Sequence, residues 1–336
     1  MSNLQKQFED FHNKIRLSDD DGKANLPEKR ELLVKDLKDG LKRYAEKNDT
    51  DVLIFEHFNQ GSYAMHTGTK PLNDDYDIDV GLVFDNNQDD FESPVQLKKI
   101  IRDALNSTFR SVKIRRPCVT VTYHKDGKPS YHVDLAVYVK KDFEDHYEIA
   151  MGREHSDECN QEWDDSDPKG LIREINELYS GDERRQFKRI IRYLKRWRDK
   201  QFRNGGAPIS IALTCAAYHW YEPEGFDGEL NDLRALYQLA DTMLNEFGWI
   251  IDRLEVELPV VPGSDLMERL TEIQMSTFKE KLEGLRDALS EAIEETSDTK
   301  ACKALGKIFG NEFPIPDQNG LKKSHSAPVV VSGTSA

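Results

Sequence analysis

Two segments of this chain alternate apolar and polar residues, and both carry carboxylates in the polar phase. That commits the region to a sheet with one buried face. Side chains at i and i+2 of a strand point the same way, so Asp77 and Asp79 share a face while Ile78, Val80, Leu82 and Phe84 fill the other. In the second segment Val133, Leu135, Val137 and Val139 form the apolar face and His132, Asp134, Ala136 and Tyr138 the polar one. Pairing the two strands brings Asp134 to the first two carboxylates. Asp75 lies in the same phase, so Asp75 with Asp77 is an alternative pair. Asp77 and Asp79 are preferred because they abut the apolar run Val80–Phe84, which fixes them rigidly. Gly81 is read as leaving room beside the carboxylates.

Three converging carboxylates repel one another unless cations lie between them. Mg²⁺ is a hard ion that favours a few carboxylates plus phosphate oxygens. Two such ions about 4 Å apart hold the attacking and leaving oxygens of an in-line displacement. Gly61-Ser62, upstream of the first segment, supplies a complementary element. Glycine lets the backbone approach a phosphate, and a serine hydroxyl with N–H groups at a helix start binds its oxygens. The residues thus point to metal-assisted phosphoryl or nucleotidyl transfer.

Taken together, Gln60-Gly61-Ser62-Tyr63-Ala64-Met65-His66-Thr67, Asp77-Ile78-Asp79-Val80 and His132-Val133-Asp134 resemble the polymerase-β-like nucleotidyltransferases. More narrowly they resemble the bacterial cGAS/DncV-like nucleotidyltransferases, the CD-NTases of antiphage signalling. Tyr193-Leu194-Lys195-Arg196-Trp197-Arg198-Asp199 and Gly205-Gly206-Ala207-Pro208-Ile209-Ser210 are similar to that group's helical-lobe segment, where a lysine and a serine bind the donor triphosphate. The runs Trp163–Pro168 and Ile308–Pro314 also recur there. The resemblance spans about residues 30 to 315. It implies an α/β polymerase-β-like lobe with a mixed sheet, then a helical lobe, with the active site in the cleft between them. The implied divisions are 1–155 (nucleotidyltransferase lobe with an N-terminal helix), 156–315 (helical lobe) and 316–336 (flexible tail).

The resemblance also implies roles. Asp77, Asp79 and Asp134 are the catalytic metal ligands for two Mg²⁺ ions, with Mn²⁺ as a substitute. Gln60, Gly61, Ser62, Lys195 and Ser210 bind nucleotide. The substrates are NTPs and the product is a cyclic di- or trinucleotide second messenger read by a downstream effector. Some CD-NTases are conjugated through a small C-terminal residue by a ubiquitin-transfer-like enzyme, which points to Ala336. Two other readings stand beside this one: a linear oligonucleotide synthase or RNA- or protein-modifying transferase, and a noncatalytic nucleotide-binding scaffold. Tyr63, Tyr138, His66 and His132 lie close to the motifs and read first as packing or structural residues; Arg115 and Arg116 lie before an apolar strand.

A net charge of −15 argues against broad duplex binding, which needs many phosphate-neutralising cations. The exception is the basic run from Arg184 to Arg203. Its apolar residues Phe187, Ile190, Ile191, Leu194 and Trp197 recur at helical spacing, and most of its charges read as solvated or paired with acidic neighbours. Cys118, Cys159, Cys215 and Cys302 have no Cys-x-x-Cys spacing, so neither a zinc ribbon nor a disulfide framework is expected. The longest mostly apolar stretch, Pro208–Tyr221, is too short to span a bilayer, and the N-terminus has no signal-peptide pattern. These features fit a cytoplasmic enzyme.

The pattern predicts a flexible or capping N-terminal segment, a helix over Pro27–Lys47 and a strand over Val52–Phe58. A helix over Ser93–Phe109 and strands over Val112–Tyr123 and Tyr131–Val139 follow, the two strands joined by a turn at Lys125–Lys128. Long helices are expected near 168–180, 183–203, 208–221, 229–247 and 265–297.

Overall fold

The computed structural model describes residues 3–17, 26–73, 76–107, 110–125, 128–141, 146–226 and 229–316. In chain order the elements are α1 (Gln5–Ile15), α2 (Leu26–Asn48), β1 (Phe55–Asn59), α3 (Gly61–Ala64), β2 (Tyr76–Phe84), α4 (Pro94–Leu105), β3 (Arg110–Ile114), β4 (Val119–Lys125), β5 (Lys128–Lys140), β6 (Tyr147–Met151) and β7 (Glu162–Ser166). Then come α5 (Pro168–Glu177), α6 (Gly181–Gln201), α7 (Ser210–Trp220), α8 (Asp232–Asn245), α9 (Glu272–Glu294) and α10 (Asp298–Phe309).

The sheet runs β1-β2-β5-β4-β3, with β6 pairing the end of β5 and β7 pairing β6. It is mixed: β2 and β5 are parallel and their neighbours antiparallel. The expected alternation is observed. Ile78, Val80, Leu82 and Phe84 of β2 and Val133, Leu135, Val137 and Val139 of β5 are buried in one core with α2 and α4, which contribute Leu33, Leu37, Leu97 and Ile101. Ser93 caps α4, its hydroxyl accepting from Gln96 N–H at 3.2 Å, an interaction worth about 1 kcal/mol. A second core joins α5–α10 to α1.

Several sequence expectations need correction. The N-terminal segment is not a loose cap. α1 buries Leu4, Phe8, Phe11 and Ile15 in the helical core, where Phe8 and Phe11 meet Tyr193, Phe309 and Phe313. The helices that pack on the sheet are α2 and α4. The expected strand Val112–Tyr123 is two strands, because Pro117 has no N–H for a ladder and the chain reverses there, with Arg115 N–H donating to Cys118 O at 2.9 Å. β7 carries the sheet on to Ser166, past the division at 155, and α9 begins at Glu272 rather than 265. Asp75 and the tail with Ala336 lie outside the described residues.

Candidate active site

The parallel register sets the acidic residues. Asp77 pairs with His132 and Asp79 with Asp134, so two adjacent strands present their carboxylates at one level. One oxygen from each of Asp77, Asp79 and Asp134 lies within 4.8 Å of the others. Asp77 is exposed and the other two are half-buried. Burial first, then the neighbouring Asp134 charge, pushes the Asp79 carboxyl up to about 6, while the Lys195 ammonium pulls the other way. Asp134 Oδ1 is buried and meets no hydrogen-bond donor. A buried carboxylate oxygen without a donor, on a residue clustered with two other carboxylates, fits a divalent cation, and these three residues would hold it.

The Gly-Ser turn is tied directly to this cluster. Gln60 N–H donates to Asp79 O at 3.1 Å, and Gly61 follows with φ +62°. A Cβ on Gly61 would lie 1.9 Å from Asp79 Oδ2, so glycine is required both by the left-handed backbone and by the carboxylate packed against it. Gln60 Nε2 donates to Tyr138 OH at 2.8 Å, so one amide N–H of this expected phosphate ligand is already committed. Tyr138 is buried against Phe58 and Tyr147, a packing residue and not a stacking platform. Gly81 also differs from expectation. Its Cβ would strike the Phe58 ring at 2.2 Å, so its space accommodates that ring and not a ligand.

The helical lobe reaches the turn through α6. Lys195 is buried, and its Nζ donates to Thr67 Oγ1 at 3.0 Å and Thr67 O at 3.3 Å. Burial, then Arg192, brings its ammonium down to about 7, opposed by Asp79. Thr67 N–H in turn donates to Ser62 O at 2.9 Å. Thr67, part of the motif but assigned no role from it, therefore connects Ser62 of one lobe with Lys195 of the other. Ser210 stands at the first position of α7, half-buried, where helix N–H groups are free for anions.

Several cations of α6 are paired with acids as expected, Arg185 with Asp182, Arg189 with Asp232 and Arg198 with Asp199, but three others bind oxygens across the fold. Lys188 donates to Met65 O, Ile175 O and Asn176 Oδ1 at 2.7 to 2.9 Å, Arg192 to His66 O and Gly68 O at 2.6 and 3.1 Å, and Arg196 to Lys70 O at 2.6 Å. Four of these acceptors, Met65 O, His66 O, Gly68 O and Lys70 O, are main-chain carbonyls of the segment that follows α3. His132 Nδ1 pairs with Thr122 Oγ1 at 2.9 Å, and Arg116 bonds Glu162 on β7.

Parallel strands bearing three carboxylates beside a Gly-Ser turn, closed by a helical lobe, define a polymerase-β-like nucleotidyltransferase. Residues 55–138 match the family described as cyclic GMP-AMP synthase DncV-like, nucleotidyltransferase domain, and residues 184–319 match cyclic GMP-AMP synthase, C-terminal domain. The chain belongs to the bacterial cGAS/DncV-like nucleotidyltransferases. It is 29% identical over 207 residues to a cyclic GMP-AMP synthase of Escherichia albertii, covering 58% of this chain and 42% of that protein. It is 28% identical over 149 residues to a cyclic AMP-AMP-AMP synthase of an Acinetobacter species, covering 42% of this chain and 40% of that protein. The chain thus spans less than half the length of each of these curated relatives. The crystal structure of Vibrio cholerae DncV, a cyclic AMP-GMP synthase, superposes with a TM-score of 0.72 at 19% identity, covering 93% of this chain and 97% of that one. A complex of the same protein with the linear intermediate pppA(3′,5′)pG gives 0.71 at 18% identity, with the same coverage. No helix among the described residues is long and apolar enough to cross a membrane.

Proposed function

We propose that this protein joins NTPs into a cyclic di- or trinucleotide second messenger. The observation that carries this reading is the register of Asp79 with Asp134, which brings three carboxylates within reach of common cations, with Asp79 packed against Gly61. The synthases among its relatives support it.

Divalent cations at the three aspartates, Mg²⁺ or in its place Mn²⁺, would neutralise the donor phosphates and make the acceptor ribose hydroxyl easier to deprotonate. The protein's own groups do the rest. The Ser62 hydroxyl and the N–H groups of the turn take the donor phosphate oxygens, Lys195 adds a cation held in place by Thr67, and Ser210 donates from the start of α7. The acceptor hydroxyl attacks the donor α-phosphorus, pyrophosphate leaves, and a second transfer on the re-seated linear intermediate closes the ring.

Such a product would act through an effector, in antiphage signalling of the kind associated with this family, in the cytoplasm where NTPs are supplied. Conjugation at Ala336 by a ubiquitin-transfer-like enzyme belongs to the same reading. The test is incubation with each combination of labelled ATP, GTP, CTP and UTP plus Mg²⁺, then phosphatase treatment and mass spectrometry, with Asp77→Ala/Asp79→Ala as control. A phosphatase-resistant product absent from the control is expected. A phosphatase-sensitive ladder would replace the reading with linear synthesis, and no turnover with either metal would leave a scaffold.

A further inference from the structure

A phenylalanine ring would fill the place of Tyr138 equally well; only the hydroxyl distinguishes the two. The residue is 1% exposed, and its ring packs with Phe58 and Tyr147. A buried hydroxyl is costly unless it is hydrogen-bonded. This one accepts from Gln60 Nε2 at 2.8 Å, across 78 residues of chain, and also hydrogen-bonds Ser166 of β7. The other end of the Gln60 amide is not held: its Oε1 is buried and meets no donor. The bond to Tyr138 is therefore what orients the Gln60 side chain.

Gln60 is the N-cap of α3, the residue from which the Gly61-Ser62 turn begins, and it is fastened on two sides. Its main chain bonds β2, N–H to Asp79 O at 3.1 Å. Its side chain bonds β5, at a residue four beyond Asp134 and on the same face of that strand. β2 and β5 are the strands that carry the three carboxylates. The first bond registers the turn with Asp77 and Asp79, and the second registers it with Asp134. Without the phenol hydroxyl both polar ends of a half-buried amide would lack a partner, and the side chain would turn toward water, loosening the start of α3.

We propose, on the reading of this cleft as a donor NTP site, that Tyr138 is a positioning residue: its hydroxyl, acting through Gln60, holds the Gly61-Ser62 turn in register with the carboxylates. Calorimetric titration of the full chain with nonhydrolysable NTP analogues and Mg²⁺ tests it, using the analogue that wild type binds best. Tyr138→Phe keeps the ring and should weaken binding by about tenfold. Gln60→Met should weaken it at least as much, and Tyr138→Phe/Gln60→Met no further than Gln60→Met alone, because a hydroxyl that acts through Gln60 has no effect in its absence. The double variant removes both partners and should melt near wild type, so it carries the comparison should Tyr138→Phe be unstable. Tyr147→Phe is the control: a phenol of the same cluster, its hydroxyl accepting from Lys169 Nζ at 2.8 Å, it should bind within about twofold of wild type. Binding by Tyr138→Phe within about twofold of wild type, losses that add in the double variant, or an equal loss in Tyr147→Phe would each overturn the proposal. A wild type that binds no analogue would remove the nucleotide reading and the proposal together. A wild type that binds but makes no oligonucleotide would remove the catalytic reading alone, and the same comparison of variants would still decide the role of Tyr138.

Discussion

Gly61→Ala separates the two things Gly61 does. The first is conformational. At φ +62° an alanine costs about 1 kcal/mol more than glycine. The second is steric, since the new methyl would lie 1.9 Å from Asp79 Oδ2, 2.5 Å from Cγ and 2.8 Å from Cβ, all far inside van der Waals contact. The cheapest relief is rotation of the Asp79 side chain, because its strand is held on both edges by β1 and β5. Stability should therefore fall by only about 1–3 kcal/mol. Relief by rotation displaces Oδ2 by roughly an ångström or more, and a misplacement of that size at a reacting centre costs about 10²-fold or more in rate. Gly181→Ala is the control: it has φ +54° with nothing within 4 Å of its Cβ position, so it bears the conformational cost alone. Urea denaturation and turnover of labelled NTPs, measured on both variants, read the two effects separately. A folded Gly61→Ala protein with turnover within about tenfold of wild type would refute the argument that Asp79 is packed against this glycine in the working enzyme.

Asp79 also makes the metal-free protein pH-sensitive. Its carboxyl is raised from 3.8 to about 6, so the fold prefers the protonated form. In EDTA, stability contributed at this site should fall as pH rises from about 4 to 6 and stay lower above, by about 1–3 kcal/mol. Asp79→Asn should then match wild type near pH 4 and exceed it at pH 7.5 by that amount, while losing activity; an equal stability difference at both pH values would count against the assignment. Lys188→Met leaves two buried acceptors and a partly buried one without their donor and should destabilise by about 2–4 kcal/mol in chemical denaturation. A loss under about 0.5 kcal/mol would mean that water replaces the ammonium there.

The strand faces were legible because a period of two leaves no freedom: once Val80, Leu82 and Phe84 go inward, Asp77 and Asp79 go outward. Resemblance supplied the link to Lys195, which periodicity alone would have placed with its neighbours on a wet helix face. What stayed hidden depended on partners distant in sequence. Met65 O, His66 O and Lys70 O, which accept from Lys188, Arg192 and Arg196, are backbone oxygens more than a hundred residues upstream, and a carbonyl has no signature in a sequence. α1 escaped notice because it is mostly polar, its few phenylalanines becoming a pattern only once Phe309 and Phe313 are beside them. Gly81 was misread since nothing local says which neighbour occupies a missing side chain.

The main-chain character of those α6 contacts also bears on how such a chain can drift. A cation that binds a carbonyl does not ask which amino acid owns it. Met65, His66 and Lys70 can each be exchanged without breaking the bond their oxygens accept, whereas Lys188, Arg192 and Arg196 cannot. A saturation scan across the seam should be lopsided, more permissive at strap positions outside the buried Met65 and Thr67, such as Lys70, and restrictive at Lys188, Arg192 and Arg196, so that one side of this junction accumulates substitutions while the other holds it in place.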